Sequence, residues 1–200
     1  MKQAGIGIVI PVYNRERELR RTFDSVVAQT YRPIHVVLVD NGSTDGSLAL
    51  CRELKGAYET DDFRITVVEE AKRGPSAARN RGLACVDSDD EYIPESVSLY
   101  MQAFESNPSA DIAGCTIRLI PEQGKPYSAK AVFSNRVEPH LFHSTLGTVR
   151  YAVRTAVVRA VGGWPEDYMR WEDWGLGIKL LLFTDRIVWV QTPPLVNVYL

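Results

Sequence analysis

The chain predicts an α/β fold in which a mainly parallel central sheet is flanked by helices. Two observations carry that reading. Ile6–Val12 and Ile34–Val39 are short, almost wholly apolar runs rich in β-branched residues, as expected of strands buried on both faces. Between them Leu19, Phe23, Val26 and Val27 recur at helical spacing, so the unit reads strand, helix, strand. A crossover of this length makes the two strands parallel, so Tyr13-Asn14 and Asp40-Asn41, which follow them, emerge at one edge of the sheet. Open α/β sheets bind their ligands at that edge.

The remaining elements follow in order. Asn14 is placed to cap the first helix, and Tyr31-Arg32-Pro33 to end it. Asp45-Gly46-Ser47 leads a second helix toward a third strand, Ile65–Val68, and a short helix spans Pro75–Leu83. Val97, Tyr100, Met101 and Phe104 share one face of a further helix. Ile112–Ile120 reads as one strand, Ile178–Leu182 as a helix interior, and Ile187–Val190 as the strand that closes the sheet. The stretch from Pro121 to Gly147, punctuated by Gly124, Pro126 and Pro139, reads as a loop-rich, mobile, substrate-facing element.

Composition bounds the class. Two hundred residues, 45% hydrophobic and 24% charged, suffice for one well-buried core. A formal net charge of −2 and a pI near 6.0 give no general attraction to nucleic acid. Arg15, Arg17, Arg20 and Arg21 alternate with Glu16 and Glu18 and read as a solvated helix face. Cys51, Cys85 and Cys115 are odd in number and widely spaced, which argues against a disulfide frame or a zinc site and fits a reducing cytoplasm. No apolar run approaches the roughly 18 residues of a membrane span. His140 and His143, a loop pair with no partner cluster, read as neither metal nor acceptor ligands.

Two acidic knots carry the chemistry: Asp87-Ser88-Asp89-Asp90-Glu91, and Glu172-Asp173 between Trp171 and Trp174. Carboxylates this crowded repel one another and cannot be buried bare, so each knot calls for a metal, a cation or a reaction that uses a base. At the sheet edge Tyr13 offers a flat face on which a nucleobase can stack. Asp40 offers an acceptor for an imino proton such as uracil N3–H. The plainer alternative is a half-buried aromatic beside an Asp that caps the next helix. Gly42 to Gly46 is turn chemistry, with Asp45 as a helix cap.

Four segments in order resemble the family 2 glycosyltransferases: Val9-Ile10-Pro11-Val12-Tyr13-Asn14, Val39-Asp40-Asn41-Gly42-Ser43-Thr44-Asp45-Gly46, Gly74-Pro75-Ser76-Ala77-Ala78-Arg79-Asn80-Arg81-Gly82, and Asp87-Ser88-Asp89-Asp90. The Glu172-Asp173 pair, preceded by Gly162-Gly163-Trp164, extends the likeness over nearly the whole chain. The resemblance implies the GT-A fold, a nucleotide-binding α/β sandwich, as a single domain with a nucleotide-binding half over about 1–91 and an acceptor-binding half over about 92–200. It implies an inverting transfer of one sugar from a nucleotide diphosphate donor, a UDP-sugar, to a glycan, lipid-linked or other hydroxyl acceptor in cell-envelope polysaccharide synthesis.

Site residues follow from the same resemblance. Pro11, Tyr13, Asp40, Arg79 and Asp87 fall on the donor, and Asp89 on a divalent ion, Mn²⁺ or Mg²⁺. Oxygen-coordinated ions of this kind neutralise a departing diphosphate. Asp173 is the general base for the acceptor hydroxyl, with Glu172 beside it, since inversion needs one carboxylate to take the acceptor's proton. Lys72 and Arg73 are alternatively phosphate partners or solvated surface. Nucleic acid is not an expected partner, and the expected location is cytoplasmic, at most peripheral to the inner face of a membrane.

One segment departs from the family pattern. Only Ala84-Cys85-Val86 joins the Pro75–Leu83 helix to the Asp-Ser-Asp segment. That helix advances ~13 Å, whereas two extended residues return ~7 Å. A second reading is therefore a nucleotide-binding homologue impaired in turnover. A nucleotidyltransferase or a dinucleotide oxidoreductase fits worse, because Tyr13-Asn14-Arg15 offers no glycine-rich loop, and Gly5 and Gly7 precede the strand instead of following it, with the third glycine missing.

Overall fold

The structure, a computed structural model, describes residues 5–82, 90–128, 133–143, 145–167 and 171–199. Asp87, Asp89, Cys85, Leu83 and the Ala84-Val86 link lie outside the described residues.

The first half is the expected parallel unit. β1 (Ile6–Val12), β2 (Ile34–Asp40) and β3 (Phe63–Glu69) form one sheet in the order β1-β2-β3, all parallel. The register sets Val12 opposite Asp40 and Asp40 opposite Glu69, so all three strands end at one level. Ile6 N–H donates to Pro33 O and Asn41 N–H to Val12 O, so the even-numbered backbone groups of β1 face β2. Pro11, which has no N–H, sits at an odd position and leaves that ladder complete.

Both faces of this sheet are covered. Ile8, Ile10 and Val12 pack with Leu19, Phe23 and Val26 of α1 (Leu19–Val27), and the same core takes in Cys51 and Leu54 of α2 (Ser47–Tyr58). On the other face Val9 and Val39 meet Ala78 of α3 (Pro75–Gly82). Gly82 lies so close to Val9 that a Cβ there would collide with the valine side chain. Burial removes each core side chain from water at about 25 cal/mol per Å², the term that holds the unit together. Cys51 and Cys115 are buried free thiols, and desolvation pushes them up to about 12 and about 11, so neither is a nucleophile.

The second half is built from two smaller mixed sheets. β5 (Ile112–Cys115) lies between β8 (Tyr151–Val153) and β9 (Ile187–Val190). The other sheet runs β4-β10-β6-β7, from β4 (Glu91–Tyr92), β10 (Val196–Tyr199), β6 (Ile117–Ile120) and β7 (Tyr127–Ser128). α4 (Ser96–Ser106) places Val97 and Tyr100 in the main core. α5 (Val137–His140), α6 (Thr155–Ala160) and α7 (Glu172–Phe183) complete the order. Leu146, Trp164, Leu176 and Leu180 fill a second core around Ile112.

Three expectations are corrected. Ile112–Ile120 is not one strand. Thr116 breaks it, donating its N–H to Val190 O and its hydroxyl to Gln191 O while its carbonyl accepts from Leu195 N–H, so the chain exchanges β9 for β10 as partner at that residue. Ile187–Val190 is followed by a further strand, β10, which the sequence reading left out. Asn14 does not cap α1, which starts at Leu19. It holds a left-handed conformation at φ 52°, and its side chain accepts from Thr44 N–H.

Candidate active site

The sheet edge is assembled by hydrogen bonds between the loops after β1 and β2. Asn14 N–H donates to Ser43 Oγ at 3.1 Å, Arg15 N–H to Ser47 Oγ at 2.8 Å, and Gly46 N–H to Glu16 Oε2 at 3.1 Å. Asp45 accepts from Ser47 N–H at 3.0 Å, but Gly46 holds the cap position of α2, so Asp45 makes an Asx turn ahead of the helix in place of the expected cap. Tyr13 stands out from this frame at 49% exposed. Asp40 is buried at 3%. Its Oδ2 accepts from Gly42 and Ser43 N–H, both at 3.2 Å, whereas its Oδ1 is buried with no hydrogen-bond partner among the described residues. A buried carboxylate oxygen left without a donor is rare and marks the position out.

Asn41 ties the edge to the next segment. Its amide donates to Glu70 O and Lys72 O, and its oxygen accepts from Gly74 N–H, which delivers the chain to the start of α3. Lys72 pairs with Glu166 at 2.6 Å, which answers one of the phosphate alternatives with a surface ion pair.

α3 is clasped to the Gly162-Gly163-Trp164 turn. Asn80 donates to Trp164 O at 2.9 Å and accepts from Trp164 N–H at 2.8 Å, and Ser76 Oγ donates to Pro165 O. Gly162 and Gly163 both hold positive φ, at 75° and 67°, which brings the turn under Asn80. Asn80 has a signal in the sequence, since it lies within the segment that carries the family resemblance.

Glu172 and Asp173 open α7, where the helix dipole favours carboxylates. Trp171 precedes them in the left-handed region at φ 65°, a strained conformation of about 1 kcal/mol for a non-glycine residue. It turns outward at 69% exposed and meets Trp174 edge to face at 5.4 Å. Arg79, buried on α3, reaches both acids: its Nη1 lies 3.0 Å from Glu172 Oε1 and 3.1 Å from Asp173 Oδ1. The sequence reading placed Arg79 on the donor, and the structure joins it to the acid pair. The Glu172 side chain is 14% exposed and the Asp173 side chain 35%, so Asp173 is the acid that an incoming molecule can reach.

Two residues enter that the motifs did not mark. Thr148, in the 3₁₀ turn Thr148–Arg150, donates its hydroxyl to Asp173 Oδ1. His140, read from sequence as a loop residue, is fully buried. Its Nδ1 accepts from Thr145 N–H at 3.0 Å and Leu146 N–H at 3.3 Å, so Nε2 carries the proton and donates to Trp174 O at 3.2 Å. Gly177 leaves room for the imidazole, which a Cβ there would strike. Burial lowers the His140 pKa from its ordinary 6.5. Neither role has a local sequence signal, because both depend on where a loop returns against α7.

Among the described residues no group of three or more His, Cys, Asp or Glu gathers to hold a metal, and Asp87 and Asp89 lie outside them. No described helix is long and apolar enough to cross a membrane.

A family model described as Glycosyl transferase family 2 matches residues 7–159. Glycosyltransferase GlyA of Streptococcus pneumoniae is 41% identical over 117 residues, 54% of this chain and 16% of that protein. The crystal structure of S. aureus TarS in complex with UDP superposes with a TM-score of 0.80 at 20% identity, covering 97% of this chain and 60% of that one. A mannosyltransferase from Pyrobaculum calidifontis in complex with GDP-Man and Mn²⁺ gives a TM-score of 0.69 at 20% identity, over 97% and 56%. The chain thus spans less than two thirds of the length of each of these relatives.

Proposed function

The chain belongs to glycosyl transferase family 2 and has the GT-A fold, and on that premise we propose that it moves a single sugar from a UDP-sugar to a hydroxyl acceptor with inversion, assisted by a divalent metal. The observation that carries the reading is the Arg79, Glu172 and Asp173 cluster, in which a helix of the donor half meets the acid pair of the acceptor half. Asp173 takes the acceptor hydroxyl's proton as that oxygen attacks the sugar carbon from the face opposite the leaving diphosphate. Arg79, held against Glu172, offsets one of the two carboxylate charges and eases their mutual repulsion.

The donor side is proposed at the sheet edge. Tyr13 stacks on the base, Asp40 Oδ1 accepts its imino proton, and Pro11, one residue before the end of β1, adds to the donor side. Arg79 stands between donor and base, and Asp87 meets the ribose. Asp89 is the proposed ligand of Mn²⁺ or Mg²⁺, and its hard carboxylate oxygen suits either ion. Such an ion supplies charge neutralisation on the departing diphosphate. About residues 1–91 serve the donor and about 92–200 the acceptor, a glycan or lipid-linked hydroxyl compound met in solution or at a membrane surface. The second reading, a homologue impaired in turnover, rests on the short Ala84-Val86 link alone and is placed behind, since Arg79 reaches both Glu172 and Asp173.

Calorimetric titration of the purified chain with UDP, with and without Mn²⁺ and on Asp89→Ala, tests the proposal. Manganese-dependent binding lost in the variant is expected, together with UDP release from a UDP-sugar. Absence of nucleotide binding, or binding indifferent to metal, overturns it.

A further inference from the structure

We propose that Thr148 is a positioning residue for Asp173: its hydroxyl donates to Oδ1, the same carboxylate oxygen that Arg79 reaches from the other side. The inference rests on the reading of Asp173 as the general base. A carboxylate turns about its last torsion in a broad, roughly two-fold well, so one contact does not orient it. Two donors on one oxygen, from α3 and from the turn before β8, set both the plane of the group and which oxygen is engaged by the protein.

Thr148 is itself built to hold that aim. It is 2% exposed, and its branched β-carbon restricts χ1, so the hydroxyl has few directions to point. Arg150 N–H donates to Gly147 O at 2.8 Å and closes the turn. Upstream, His140 gathers Thr145 and Leu146 by their N–H groups and donates to Trp174 O, one residue past Asp173. The segment that carries Thr148 is therefore tied to the first turn of α7 at two places, the His140 clasp and the Thr148 hydroxyl. A misplacement of the base by about 1 Å is enough to cost a reaction on the order of a hundredfold, which is the scale on which such a tie acts.

The test compares Thr148→Val, which keeps the shape and removes the hydroxyl, with Thr148→Ser, which keeps the hydroxyl, and uses Asp173→Asn as reference. UDP release from UDP-glucose and UDP-N-acetylglucosamine, with water as acceptor, gives kcat and KM. The expected result is a kcat lowered about tenfold or more in Thr148→Val at unchanged donor KM, with Thr148→Ser within about threefold of the parent. Equal kcat in Thr148→Val and the parent, with Asp173→Asn inactive, overturns the positioning role and leaves the base reading standing. Retained activity in Asp173→Asn removes the base reading and the positioning role with it. Where water turnover is too slow to follow, thermal unfolding of Thr148→Val, Asp173→Asn and the double variant decides. Non-additive shifts are expected, and additive shifts overturn the proposal.

Discussion

Arg79 and Glu172, 93 residues apart in sequence, form an ion pair 3.0 Å long whose two side chains are 6% and 14% exposed. It joins α3 to α7. Removing Arg79 leaves the Glu172 carboxylate buried without this cation, which is the costly way to break such a pair.

Arg79→Met is therefore expected to destabilise the chain by about 3 kcal/mol. Urea denaturation measures this, and Arg79→Lys recovers only part of the loss, because an ammonium is more strongly hydrated than a guanidinium and costs more to bury. A loss below about 0.5 kcal/mol, the range of ordinary surface changes, would show that the pair does not brace the fold.

Glu172 and Asp173 are expected to separate in kinetics. Asp173→Asn removes the base and lowers kcat by about 10²- to 10⁴-fold with nucleotide affinity intact. Glu172→Gln leaves the base in place and mainly weakens its anchoring. Steady-state rates and UDP titrations on both variants check the split, and the reverse order of losses would reassign the base.

Asp40→Asn addresses the base of the nucleotide. It retains the bonds from Gly42 and Ser43 to a side-chain oxygen while replacing the charged oxygen Oδ1, which lacks a partner among the described residues. A hydrogen bond to a charged group contributes about 1.5–3 kcal/mol, so UDP affinity is expected to fall by roughly ten- to a hundredfold. An unchanged dissociation constant would remove Asp40 from the donor site.

His140 carries a pH dependence of stability with a definite sign. Burial holds its folded pKa below its ordinary 6.5, so below that pH the unfolded chain takes up a proton that the folded chain refuses. Its contribution is present above pH 6.5 and is lost as the pH falls through the folded value. Protonation also sets an N–H at Nδ1 against the N–H groups of Thr145 and Leu146. Unfolding midpoints at pH 7.5 and 5.5 are expected to differ more in the parent than in His140→Gln. Equal differences would show that the clasp does not titrate.

The first half was legible because its information is local. β-branched runs and a helical spacing dictate strand, helix, strand, and a crossover of that length dictates parallel pairing, so Tyr13 and Asp40 had to share an edge. The second half is different. Ile112–Ile120 looks continuous in sequence, and it divides at Thr116 because the partner strand changes there, from β9 to β10. Asn14 has the chemistry of a cap, and the loop after β2 claims its side chain instead.

By itself, the sequence determined the parallel strand–helix–strand unit and the shared edge of Tyr13 and Asp40, which follow from periodicity, and it pointed to the family through motifs that resemble it. Tertiary structure decided what holds the acids. Arg79, Thr148 and His140 converge on the first turn of α7 from three separate elements. Hydrogen bonds reach only about 3 Å, so such partnerships exist only after the chain has closed on itself, and no spacing along the sequence announces them.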